Sequence, residues 1–373
     1  MTTRKPIPIG IEAETAPAPP LGSQARRATM RDVAQEAGVS VSAVSKILRG
    51  AYGSSPEMRT KVLSAIEKLG YRPNAGARAM RGRSYTIGVM LVELSSPFQP
   101  EVVQGISEEF EGTPYQEIFI AAGQSPDRQK RSIEALLDRQ VDGVILIAPW
   151  MEANWIEELG SRVPTVTVAL HGVATSFDTV VDDDYEGSRL VVEHLVSLGH
   201  RRILHTSMPP SAATAPFALS HTARRDGYIR AMHQHGLEPD VISTHYSEEG
   251  GYRAATEAFT RQERPTAVFA GADIAALGVL RAAEHHNLRV PEDVSVVGYD
   301  NIYISTVNRI SLTTVDQSGR MTGSKAARLL LDRLDGRTSP AQYVIAPRLV
   351  PRSTSGLAPV EASEQKSAQS LPA

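Results

Sequence analysis

The chain has 373 residues, 41% of them hydrophobic and 22% charged, the balance of a globular protein long enough for two or three domains. It contains no cysteine, which excludes disulfides and thiolate metal sites, and no apolar run reaches the roughly 18–20 residues that span a bilayer. The net charge of −3 conceals an asymmetry: residues 26–83 hold twelve Lys and Arg against four Asp and Glu, so a basic module suited to a polyanion adjoins an acidic body.

Residues 1–28 are rich in Pro, Ala and Thr without periodicity and read as a disordered tail. Arg4 and Lys5 are followed by Pro-Ile-Pro-Ile and Ala-Pro-Ala-Pro-Pro, where proline interrupts the apolar stretch of a secretory signal. A cytoplasmic location is therefore expected. From Thr29 the period turns helical. Thr29 and Asp32 form a capping box, and Met30, Val33, Ala34 and Ala37 share one face. Gly38 ends this helix, and Ser40 caps a second, from Val41 to about Leu48, which buries Val44, Ile47 and Leu48. Ser55-Pro56 opens a third, with Met58, Val62, Ile66 and Leu69 as its apolar face.

Two short helices joined by a glycine turn predict a helix-turn-helix within residues 29–72. Its second helix presents Val41, Ser42, Ser45 and Lys46, none large enough to keep it out of a major groove, while Ser40 and the helix N-terminus offer donors to phosphate. From Ser84 the pattern changes. Short β-branched runs at 86–92, 117–121, 143–148, 165–170, 202–206, 266–270 and 294–298 alternate with amphipathic stretches such as 127–139, 185–198, 223–234, 274–287 and 318–334. This alternation predicts two parallel sheets covered on both faces, over residues 84–355, with ligands bound beyond the carboxyl ends of the strands. Residues 356–373 read as a second disordered tail.

The run from Ala28 to Leu48, ATMRDVAQEAGVSVSAVSKIL, resembles the helix-turn-helix of the LacI/GalR family of regulators. Further matches follow in order: Ser55-Pro56-Glu57, Gly70-Tyr71-Arg72-Pro73-Asn74, Ala77-Arg78-Ala79-Met80-Arg81, Ser96-Pro97-Phe98, Arg224-Arg225-Asp226-Gly227-Tyr228 and the stretch from Val290 to Asp300. The resemblance covers about residues 28–353. It implies an all-α helix-turn-helix domain joined to an α/β type I periplasmic-binding-protein-like domain, whose two Rossmann-like subdomains are linked by three crossovers around a ligand cleft. It also implies that Val41, Ser42 and Lys46 face base edges, and that Thr29, Ser40, Ser45, Ser55 and Asn74 touch the DNA backbone. Lys46 stands where the family usually has Arg, and a point charge discriminates guanine less sharply than a guanidinium fork. Residues 73–83 match the hinge that folds on the operator. Met80 takes the position that wedges into the minor groove, flanked by Arg78, and Gly76 costs about 1 kcal/mol of helix stability and so favours disorder off DNA.

For the cleft, the resemblance points to Arg224 and Asp300, an arginine fork and a carboxylate on opposing loops that suit a sugar or its derivative. Phe98 and Trp150 follow strand ends and are candidates to stack on the ligand. Asp273 reads as a helix N-cap, and Ala272 stands where sugar-sensing relatives commonly carry Asn. The Asp182-Asp183-Asp184 run lacks the spacing of a calcium loop and reads as a loop and helix start. The pairs His233/His235 and His285/His286 do not share a helix face, so no metal site is expected. No phosphate-binding loop, nucleophile elbow or dinucleotide fingerprint is present, so neither an enzyme nor a cofactor is expected. The expected protein is an operator-binding repressor, a homodimer under small-molecule control. A solute-binding protein of the same α/β fold is the alternative, and neither reading involves a membrane.

Overall fold

The structure, a computed structural model, describes residues 28–48, 54–71, 82–209 and 215–359. The expected N-terminal tail up to residue 27, the hinge candidates Asn74, Arg78 and Met80, and the chain from residue 360 lie outside the described residues. The chain divides into two compact units, Met1–Arg78 and Ala79–Ala373, and the division falls within the expected hinge span. No helix of the described residues is long and apolar enough to cross a membrane.

The first unit holds α1 (Met30–Ala37), α2 (Val41–Leu48) and α3 (Pro56–Leu69). Its helix ends are made locally, as the sequence predicts. The Thr29 hydroxyl accepts from the Asp32 amide while the Asp32 carboxylate accepts from the Thr29 amide, and Gly38 closes α1 in the left-handed region at φ 65°. Ser55 caps α3 by accepting from the Met58 amide at 3.2 Å, with Pro56 in the first turn. Val33, Val44, Val62 and Tyr71 bury their side chains between the three helices, which fixes the faces left outside.

The second unit contains two parallel sheets. The first has six strands, β1 (Thr86–Leu91), β2 (Gln116–Ala121), β3 (Gly143–Ile147), β4 (Thr165–Val168), β6 (Asp178–Asp182) and β13 (Gln342–Ile345), in the order β13-β6-β4-β3-β1-β2. One face carries α4 (Phe98–Phe110) and α11 (Gly319–Leu334) over Ile87, Val89, Ile145 and Ile147. The other carries α5 (Pro126–Leu137) and α6 (Ala153–Arg162) over Met90, Val144 and Leu146. Burial on both faces is why these strands read as continuous apolar runs instead of alternating ones.

The second sheet has four strands, β7 (Ile203–Ser207), β9 (Asp240–Ser243), β10 (Ala267–Ala270) and β11 (Ser295–Val297), in the order β11-β10-β7-β9. It is covered by α7 (Asp184–Ser197) and α8 (Ser220–Gln234) on one side and by α9 (Glu248–Phe259) and α10 (Asp273–His285) on the other. The chain passes between the subdomains three times: after Asp182, from Asp316 to Gly319, and after Ile345. Two short antiparallel pairs tie these passages together. One joins β5 (Leu170–His171) to β8 (Ala218–Leu219), the other β12 (Thr314–Asp316) to β14 (Arg348–Val350).

Three expectations are corrected. The run 165–170 is not one strand, because Ala169 turns the chain at φ 61° and splits it into β4 and β5. Strands β6 and β9 and helices α4, α6 and α9 belong to the pattern but were not among the predicted runs. The body also extends past residue 355: Gly356 accepts from His200 and donates to Ser295, and Ala358 donates to the Leu198 carbonyl.

Candidate DNA-reading helix and effector cleft

In the first unit, α2 presents Val41, Ser42 and Lys46 to solvent, with Val41 39% exposed, while Ser45 is half-buried. Ser40 is engaged in building the helix start: its hydroxyl accepts from the Ala43 amide at 3.1 Å and lies 2.8 Å from the Ser42 hydroxyl. Thr29 and Ser55 are likewise exposed caps, so three of the predicted backbone-contacting residues mark helix N-termini, where unpaired N–H groups favour phosphate.

In the second unit, the carboxyl ends of the two sheets face each other across a cleft with a volume of about 120 Å³. Phe98, Trp150, Arg224 and Asp300 all line it. Each is held by its neighbours. The Gln99 side-chain oxygen accepts from the Val92 and Glu93 amides, ordering the β1–α4 turn that places Phe98. The buried Gln129 side chain donates to the Gly123 carbonyl and accepts from the Trp150 amide at 2.8 Å. The Trp150 ring stacks on His221 with centroids 5.2 Å apart. Ala148, Ala169 and Asp300, following three strands on the cleft wall, all have positive φ, a local concentration of backbone strain.

Arg224 departs from the expected arrangement. It sits on helix α8, not on a loop, and is only 3% exposed. Its Nε and Nη2 both donate to Asp184 Oδ1, at 3.0 and 2.8 Å, and Nη1 donates to the Gly271 carbonyl. The Tyr299 ring lies 3.5 Å from the guanidinium carbon, and the Tyr299 hydroxyl donates to Asp182 Oδ2 at 2.7 Å. Asp184 Oδ2 meets His171 Nε2 at 2.7 Å. Asp300 belongs to the same subdomain as Arg224 instead of facing it across the cleft, and its Oδ1 accepts from the Gln317 side chain.

Asp273 is no N-cap either. Its carboxylate is buried and accepts from the Ile302 amide, the Ser305 hydroxyl and the Thr314 hydroxyl, tying α10 to the loop after β11 and to β12. The three-acid run separates by position: Asp182 ends β6, Asp183 caps α7, and Asp184 is buried beneath Arg224.

Burial sets the electrostatics. It pushes the Asp300 carboxyl well above the ordinary carboxylate range. Burial, with Asp184 adding to it, lifts Asp182 to about 7. Burial lowers His221 to about 4, so its ring is neutral and Nε2 donates to the Pro209 carbonyl. For His171, burial alone would lower the pKa, but the hydrogen bond and charge of Asp184 outweigh it and the net shift is upward. Asp184, His221, Tyr246 and Gln317 were missed from sequence. Only a buried arginine in need of a counter-ion signals the first, and burial is not written in the motif.

Residues 29–74 match the model of bacterial regulatory proteins of the lacI family, and residues 192–355 match a periplasmic binding protein-like domain. Catabolite control protein A of Priestia megaterium is 32% identical over 327 residues, covering 86% of this chain and 97% of that protein. The chain belongs to the LacI family. Among solved structures, the lac repressor dimer bound to operator and an anti-inducer aligns with a TM-score of 0.77 at 27% identity, over 89% of this chain and all of that one. The regulator CelR in complex with cellobiose aligns at 0.65 and 29% identity, over 88% of this chain and all of that one. This LacI-family chain is therefore a DNA-binding transcriptional regulator with a ligand-sensing domain. The solute-binding alternative fails on the helix-turn-helix match.

Proposed function

We propose that this regulator is a repressor that holds a pseudo-palindromic operator as a dimer and changes its grip when a sugar or sugar-like molecule enters the cleft. In this reading Val41, Ser42 and Lys46 read base edges, and the N-termini capped by Thr29, Ser40 and Ser55, with Ser45 beside them, meet phosphates. Asn74, Arg78 and Met80 act as the hinge. The protein works in the cytoplasm, and no catalytic step is assigned to it.

The observation that carries the sensing half is the cleft itself. Aromatic side chains from the first sheet, Phe98 and Trp150, face polar groups from the second, Arg224 and Asp300, across the carboxyl ends of both sheets. The cellobiose complex of CelR supports a sugar, since that protein shares the fold. A ligand that bridges two subdomains linked by three passages has the geometry to rotate one against the other.

The test is selection of bound sequences from random DNA by the full-length protein, followed by competition with a panel of sugars. A single palindromic motif, released or tightened by one of them, is the expected outcome. Enrichment of no motif, with or without sugars, would sink the operator reading.

A further inference from the structure

Arg224 is the sole arginine or lysine among the described residues lining the cleft, and its charge is matched before any ligand arrives. Three of its N–H groups are directed to Asp184 Oδ1 and the Gly271 carbonyl, and Tyr299 covers one face of the guanidinium. Among the described residues, the other side chains at the cleft bring no unpaired positive charge. Burial lowers His221 to about 4 and raises Asp300, and Glu93 also lines the cleft. Behind the wall, His171 is itself paired with Asp184 at 2.7 Å and lies within reach of the Asp182 charge.

An anionic ligand would have to shed its hydration against a surface with no unpaired cation, which is costly in a buried site. An uncharged ligand meets no such penalty. Arg224, the Asp300 carboxyl and the Tyr246 hydroxyl line the cleft with hydrogen-bonding groups for its oxygens, with Trp150 beside them.

We propose that the cleft selects uncharged effectors, because Asp184 is a built-in counter-ion that removes the anion-binding capacity of Arg224. This rests on the reading of the cleft as the effector site. It narrows that reading from sugars and their derivatives to unphosphorylated, uncarboxylated molecules.

Inorganic phosphate is the probe, titrated into full-length protein at constant ionic strength. The readout is tryptophan fluorescence: both tryptophans, Trp150 and Trp155, belong to the second unit, so phosphate at the helix N-termini of the first unit does not register. Wild-type protein is expected to show no saturable response. Asp184→Asn frees the guanidinium and is expected to gain a saturable response, at least about tenfold tighter than any in wild type, that Asp184→Asn/Arg224→Gln loses. Asp300→Asn leaves the Arg224–Asp184 pair in place and is expected to stay silent.

A saturable change in the tryptophan fluorescence of wild type on adding phosphate would overturn the proposal, and that arm needs no variant. A gain of binding in Asp300→Asn would also overturn it, by making Asp300 the counter-ion. So would a folded Asp184→Asn that stays silent. Operator binding, measured on the same samples by fluorescence anisotropy, reports on the regulator reading separately: its absence bears on that reading and leaves the anion result standing.

Discussion

Asp182 is an acid in a place that resists its charge. It is fully enclosed at the end of β6, with Asp184 two residues on and the Tyr299 hydroxyl on its Oδ2, and burial followed by the charge of Asp184 raises it to about 7. The sign follows directly. A native pKa above the unfolded value means the folded chain keeps a proton that the unfolded chain has released. The contribution of this group to stability is complete below about pH 4 and is lost as pH rises towards 7. Asp182→Asn is expected to remove that loss, so the melting temperature of the variant relative to wild type rises between pH 4 and 7. A difference that stays flat across the series would mean Asp182 is ionised in both states.

The neighbouring pair makes a different prediction. Arg224→Ala leaves Asp184 buried with His171 and Ser220 but no guanidinium to meet it, and breaking a buried pair costs about 3–5 kcal/mol. Urea unfolding should show a loss of this size, and a loss below about 1 kcal/mol would place the pair in the class of surface bridges. The chemical type and motif position of Arg224 and Asp300 were readable from sequence. Their partners were not, because three consecutive acids look alike until burial separates a strand end, a cap and a counter-ion.

At the scale of elements, the helix caps were readable because they are local. Thr29 needs only Asp32, and Ser55 only the amide of Met58. The contacts between helices are not local. Helices α9 and α10 cross where Gly251 and Gly278 let the backbones touch: a Cβ on Gly278 would stand 1.9 Å from the Glu248 carbonyl oxygen. The first subdomain repeats the arrangement, with Gly105 and Gly323 between α4 and α11. Gly-to-Ala in an isolated helix stabilises by about 1 kcal/mol, whereas overpacking costs about 1–3 kcal/mol, so the sign of the change decides between them. Gly278→Ala is expected to destabilise, as read by the midpoint of urea unfolding. A stabilised variant would show that the crossing can relax at no cost.

At the scale of the whole molecule, the two units divide the work. A fragment beginning at Ser84 retains both sheets, the three passages and the cleft, and lacks α1 to α3. It is expected to keep effector binding with an unchanged Kd and to lose operator binding. Effector affinity weakened tenfold in the fragment would mean that the first unit contributes to the sensing site.

What the sequence determined by itself is whatever depends on near neighbours or on an ordered series of motifs. The helix-turn-helix with its caps, the alternation that demands two parallel sheets, and the positions of Phe98, Trp150, Arg224 and Asp300 at or near element ends were all available there. Tertiary structure decided what those groups are. Phe98 and Trp150 come from one sheet and Arg224 and Asp300 from the other, so only the closing of two subdomains makes them one site. Folding also removes water from Asp182, Asp184, Asp273 and Asp300, which carry the same formal charge in the sequence. Burial raises Asp300 and lifts Asp182 to about 7, while the adjacent guanidinium brings Asp184 below the ordinary range. Charge in a protein interior is fixed by desolvation and by partners distant along the chain, and neither exists until the chain has folded.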